Sequence, residues 1–86
     1  MVKYEVVFSK QAVRDSKRLK ESGLDKKAKQ LIEILKENPF QNPPPYEELL
    51  GDLKDYYSRR INIQHRLLYF MRDNKVHVVR MWTHYE

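Results

Sequence analysis

The chain has 86 residues, 41% hydrophobic and 12% aromatic, with 17 basic and 12 acidic side chains, two glycines and no cysteine. That length makes a single domain, residues 1–86, and the composition excludes a disordered chain, a disulfide framework and a thiolate metal site. No apolar run approaches the roughly 20 residues of a membrane span, and a formal net charge of +5 favours an anionic partner. The start, Met1-Val2-Lys3-Tyr4-Glu5, lacks a signal-peptide apolar stretch, so a soluble, cytoplasmic protein is expected.

In chain order, Tyr4, Val6 and Phe8 alternate in a β-rich run, which predicts a strand over about residues 2–8. Ser9 is a natural N-cap for a helix over 10–21, with Ala12, Ser16 and Leu19 at helical spacing and Gly23 ending it. Asp25 is expected to cap a second helix, whose Ala28, Leu31, Ile32 and Leu35 form one apolar stripe, and which stops near Glu37 before Pro39. Pro43, Pro44 and Pro45 predict an extended polyproline II connector, and Tyr46 to Leu50 a helical turn ended by Gly51. Tyr57 to Ile63 alternates as a strand: Tyr57, Arg59, Ile61 and Ile63 face one way, and Ser58, Arg60 and Asn62 the other. A tight connection at Gln64-His65 leads to a strand over 66–72. Asp73-Asn74 signals a hairpin turn, and a last strand covers 75–83. The fold class is therefore α+β: two N-terminal helices on one face of a mainly antiparallel four-stranded sheet. The last three strands should form a meander with the first strand alongside, leaving the other face open.

The charge is uneven. Residues 1–36 carry ten bases and five acids, 37–56 one base and five acids, and 57–86 six bases, five of them arginine, and two acids. Helix lysines are ordinarily solvated, whereas a guanidinium presents a planar fork of donors that suits phosphate. His65, His77 and His84 have no zinc-type spacing, and two glycines cannot build a phosphate loop. What remains is Glu47 and Glu48 after a stiff loop, Arg59, Arg60 and Arg66 on adjacent strands, and His84. A carboxylate, an imidazole and a pair of arginines are what RNA transesterification needs: a base for the 2′-hydroxyl, an acid for the leaving 5′-oxygen, and cations for the phosphorane. Each of these residues also has an ordinary role, as helix-dipole complement, edge charge or frayed end. From the residues alone the reading stays at a small basic α+β domain that binds nucleic acid, with cleavage an open alternative.

Tyr57-Ser58-Arg59-Arg60-Ile61 followed by His65-Arg66-Leu67-Leu68-Tyr69, with Asn38-Pro39-Phe40 before them and His84-Tyr85 after, resembles the signature of the Txe/YoeB family of the RelE superfamily. Its members are toxins of type II toxin–antitoxin modules. The resemblance implies a RelE-like fold and a ribosome-dependent endoribonuclease that cuts mRNA in the A site without a cofactor or metal. It also implies a cognate antitoxin, and a homodimer or heteromeric toxin–antitoxin complex. Carried over position by position, the catalytic residues are Glu47 as base, with Glu48 the neighbouring alternative, His84 as acid, and Arg66. Arg60, Arg59 and Tyr85 fall to the phosphate and substrate. Two positions depart from the family pattern: Leu50 stands where well-known members carry a lysine, and Glu86 follows the terminal His-Tyr. Helix lysines are candidates for docking on ribosomal RNA. The alternatives are a basic module that binds ribosome or RNA without cutting, and a co-repressor active only with its antitoxin.

Overall fold

The computed structural model describes residues 4–49, 51, 55–62 and 65–83. The elements are β1 (Glu5–Phe8), α1 (Lys10–Glu21), α2 (Asp25–Glu37), β2 (Glu47–Glu48), β3 (Tyr56–Arg60), β4 (Arg66–Arg72) and β5 (Lys75–Thr83). Among the described residues the strands form one five-stranded sheet in the order β1-β5-β4-β3-β2. The β1–β5 pair is parallel and the others antiparallel, so the expected meander with the first strand beside it is present.

Both helices lie where the apolar stripes predict. Ser9 caps α1, its Oγ accepting from the Ala12 N–H at 3.0 Å and donating to the Val79 carbonyl at 2.8 Å. Gly23 then turns the chain at φ +77°. Asp25 does not cap α2: Leu24 is the N-cap and makes no side-chain cap bond, so Asp25 opens the first turn, where its charge suits the helix dipole. Ala12 and Leu19 of α1 and Ala28, Leu31 and Leu35 of α2 pack with Leu67, Tyr69, Val76, Val78 and Met81 of the sheet to make the core. The Asp73-Asn74 turn has φ of 55° and 62°, the left-handed pair a two-residue hairpin requires.

One buried acid sits on the α1 stripe. Asp15 is 0% exposed, and β5 is irregular where it passes it: the β4 pairing register shifts between Leu68 and Tyr69. Oδ2 of Asp15 accepts from the Met81 N–H at 2.9 Å and from Arg80 Nε at 3.0 Å, and Oδ1 accepts from Gln11 Nε2 at 3.1 Å. The carboxylate therefore satisfies the backbone donor that the irregular strand turns inward.

Three further expectations are corrected. The sheet has five strands rather than four, because Glu47–Glu48 is a short edge strand and not part of a helical turn. Its residues have helical propensity, but Glu47 and Glu48 pair with Ser58 and Tyr57, and the Leu49 N–H donates to the Tyr56 carbonyl at 2.9 Å. The proline segment is not a polyproline II rod: the Asn42–Pro43 and Pro43–Pro44 bonds are cis, and the loop wraps around a buried guanidinium.

Candidate active site

That guanidinium belongs to Arg59, which is 0% exposed. Its Nη1 donates to the Pro44 carbonyl at 2.7 Å, and its Nη2 to the carbonyls of Pro39 and Gln41 at 3.0 and 2.9 Å. Nε donates to the Tyr69 hydroxyl at 3.3 Å, and that hydroxyl donates to the Pro39 carbonyl at 2.8 Å. The resemblance puts Arg59 at the phosphate; instead it is enclosed, with Nη1 and Nη2 engaged by the loop and Nε by Tyr69. A buried cation is tolerable because carbonyl dipoles replace its hydration. The guanidinium also lies 5.1 Å from the centroid of Tyr46, and the rings of Tyr46, Phe40 and Tyr57 pack on one another at centroid distances of 5.2–6.0 Å. The segment that ends at Glu47 is thereby held against the sheet.

Strand alternation divides the two arginines. Tyr57 and Arg59 face the helices and core, and Ser58 and Arg60 face the open side. The same rule divides the two glutamates. Glu47 pairs with Ser58 and takes the open side, while Glu48 pairs with Tyr57 and takes the other. Arg60 and Arg66 are Cα partners, so they share the open face. Glu47, Ser58, Arg60 and Arg66, with Pro45 and Tyr46, line a cavity of about 250 Å³. Across it Arg66 Nη1 lies 3.3 Å from Glu47 Oε2, with 23% of the Arg66 and 64% of the Glu47 side chain exposed.

Arg66 is aimed by its neighbour. The His65 N–H donates to Asn62 Oδ1 at 2.6 Å, Nδ1–H donates to the Trp82 carbonyl at 2.6 Å, and the ring stacks on Trp82 at 4.0 Å. His65 thus pins the start of β4 to β5, where Arg66 pairs with Thr83. His84, Tyr85, Glu86 and Leu50 lie outside the described residues. The cavity therefore brings together Glu47, Arg60 and Arg66 from the sequence-derived set. Ser58, which it also contains, was missed; its signal was parity with Arg60.

A family model for the YoeB-like toxin of bacterial type II toxin–antitoxin systems matches residues 8–85. The chain belongs to this family. Over 60 residues, 70% of the chain and 71% of the relative, this YoeB-like toxin is 38% identical to toxin YoeB of Streptomyces coelicolor. It is 33% identical to toxin YoeB of Escherichia coli over the same shares. Among solved structures, the YoeB/ParE toxin from Agrobacterium tumefaciens superposes with a TM-score of 0.84 at 27% identity, covering 94% of this chain and 99% of that one. The Staphylococcus aureus YoeB dimer superposes with a TM-score of 0.83 at 32% identity, covering 98% and 100%. A YoeB–YefM complex from the same organism has a TM-score of 0.81, with the same identity and coverage. No described helix of the YoeB-like toxin is long and apolar enough to cross a membrane.

Proposed function

We propose that this toxin is a ribosome-dependent endoribonuclease that cuts mRNA in the A site by acid–base transesterification, with no metal in the reaction. The observation that carries the reading is the Glu47–Arg66 pair, set beside Arg60 in one cavity of the open sheet face. Glu47 takes the proton of the 2′-hydroxyl, the 2′-oxygen bonds to phosphorus, and the 5′-oxygen leaves with a proton from His84. The products are a 2′,3′-cyclic phosphate and a 5′-hydroxyl. Arg66 and Arg60 neutralise the charge that gathers on the non-bridging oxygens, and Tyr85 orients the substrate. An ion pair as exposed as Glu47–Arg66 contributes about 1 kcal/mol or less. An incoming phosphate therefore draws Arg66 away at little cost and frees the carboxylate to act as base.

The kinship supports the rest. A cognate antitoxin binds and neutralises the toxin, as YefM assembles with YoeB in Staphylococcus aureus, and the toxin forms homodimers or heteromeric toxin–antitoxin complexes. The target places the protein in the cytoplasm. The exposed faces of the two helices, with Lys17, Lys20, Lys26 and Lys29, dock on ribosomal RNA.

Primer extension on mRNA from programmed ribosomes tests the reading. Wild type gives discrete A-site cuts that survive a chelator, and Glu47→Gln and His84→Ala each slow them about 10²–10⁴-fold. Glu48→Gln, on the other face of the strand, cuts like wild type. No cuts with ribosome binding intact would make the protein a non-catalytic binding module. Harmless expression without an antitoxin would make it a co-repressor.

A further inference from the structure

The Ser58 hydroxyl has no part in the chemistry above, yet it is the one buried side-chain polar atom among the described residues that lacks a hydrogen-bond partner. Other buried polar groups here have partners: Asp15 collects three donors, and the Arg59 guanidinium engages three carbonyls and a hydroxyl. A buried hydroxyl without a partner lowers stability, so its persistence needs a reason. Ser58 is 2% exposed and lines the cavity of Glu47, Arg60 and Arg66. It is also the Cα partner of Glu47, and directly opposed residues on one sheet face bring their Cβ atoms within about 4.5–5.5 Å. In this structure the Glu47 carboxylate is turned to Arg66. The hydroxyl is shielded from solvent, so RNA meets the carboxylate and the two arginines before it.

We propose that Ser58 is the positioning residue for Glu47: once the scissile phosphate draws Arg66 away, the Ser58 hydroxyl donates to the freed carboxylate. One carboxylate oxygen is then held by Ser58, and the other is left to take the 2′-hydroxyl proton. The Ser58 proton itself is not transferred. The inference rests on the ribonuclease reading, and it names the group that replaces Arg66 as the partner of Glu47.

Single-turnover cleavage on programmed ribosomes, with wild type, Ser58→Ala and Ser58→Thr across a range of pH, tests it. Ser58→Ala removes an unsatisfied buried group, so the fold stays intact. Its cleavage slows about 10–100-fold, as expected for a misplaced catalytic group, with ribosome affinity unchanged. The acid limb of its rate profile moves to higher pH, because a lost donor disfavours the carboxylate form. Ser58→Thr keeps the hydroxyl and restores both rate and profile. Equal rates and superimposable profiles for wild type and Ser58→Ala overturn the proposal. If wild type makes no cuts, the ribonuclease reading falls, and a double-mutant cycle in the Arg66→Ala background decides the Ser58–Glu47 link without activity. A Tm loss from Ser58→Ala that disappears in Glu47→Ala supports it; equal losses in both backgrounds overturn it.

Discussion

Replacing Asp15 by Asn removes one charge from the centre of the fold and changes little else in shape. Burial pushes the Asp15 carboxyl upward, but the Met81 N–H, Gln11 and Arg80 outweigh it and hold the group below its ordinary 3.8. Hydrogen bonds to a charged acceptor contribute about 1.5–3 kcal/mol each. The Asn amide keeps its oxygen on the Met81 N–H and Arg80, the donors that Oδ2 holds at 2.9 and 3.0 Å, and turns its NH2 to Gln11, whose own amide flips to accept. The bonds persist without the acceptor's charge; that weakening, less the relief of no longer burying a charge, leaves a deficit of about 2 kcal/mol. For a domain of this size that lowers Tm by roughly 8–16 °C. The sign follows from linkage: a depressed carboxyl stabilises the fold above its unfolded value, and the stabilisation is lost as pH falls through the folded one. Asn mimics the protonated acid, so the stability gap between wild type and Asp15→Asn is full above about pH 5 and closes as acid titrates the wild type. Urea unfolding of both proteins at a series of pH values measures the gap. A gap absent at neutral pH, or unchanged in acid, would refute the account of Asp15 as an ionised clasp.

Arg59→Met strips the loop of its donors and leaves the carbonyls of Pro39, Gln41 and Pro44 without their cation; a loss of about 3 kcal/mol or more is expected in urea unfolding, with cleavage falling because Glu47 is no longer held. Arg60→Met removes an exposed charge instead, so its unfolding midpoint matches wild type while cleavage drops. Asn74→Val forces a β-branched residue to φ 62° and lowers stability by about 1–2 kcal/mol, whereas Asn74→Gly is tolerated, as thermal melts will show. Leu35→Ala empties a site with 0% exposure beneath the sheet and costs about 2–5 kcal/mol in the same assay.

Where period and punctuation agree, the sequence speaks plainly. The bounds of α1, β4 and β5 and the end of α2 coincide with Ser9, Gly23, Pro39 and the Asp73-Asn74 turn, because caps and turns act over a few residues. The Glu47–Glu48 strand was hidden, since its pairing with Ser58 and Tyr57 is set by a distant segment and opposes local propensity. Asp15 was hidden for a similar reason: an acid at helical spacing reads as solvated until the irregularity of β5 supplies its donors. Arg59 is more instructive. Alternation already placed it with Tyr57 and Ile61, apart from Arg60, but two adjacent arginines look alike until the proline loop is seen to close over one of them. Ser58 gave no chemical cue, because a lone serine acquires meaning only when its hydroxyl is found buried and without a partner.

The place of β5 in the sheet bears on when the toxin can first act. β1 pairs with β5, the Ser9 hydroxyl reaches Val79, and Asp15 of α1 closes on Arg80 and Met81. The earliest part of the chain therefore has its partners in the part synthesised after all the other described elements. While translation is under way, α1 has no sheet to rest on, and Arg66 lacks the Trp82 carbonyl and stacked ring that hold its neighbour His65. Such long-range closure is slow compared with local helix formation. A nascent copy still being translated thus lacks the assembled cavity of Glu47, Arg60 and Arg66 until β5 is in place.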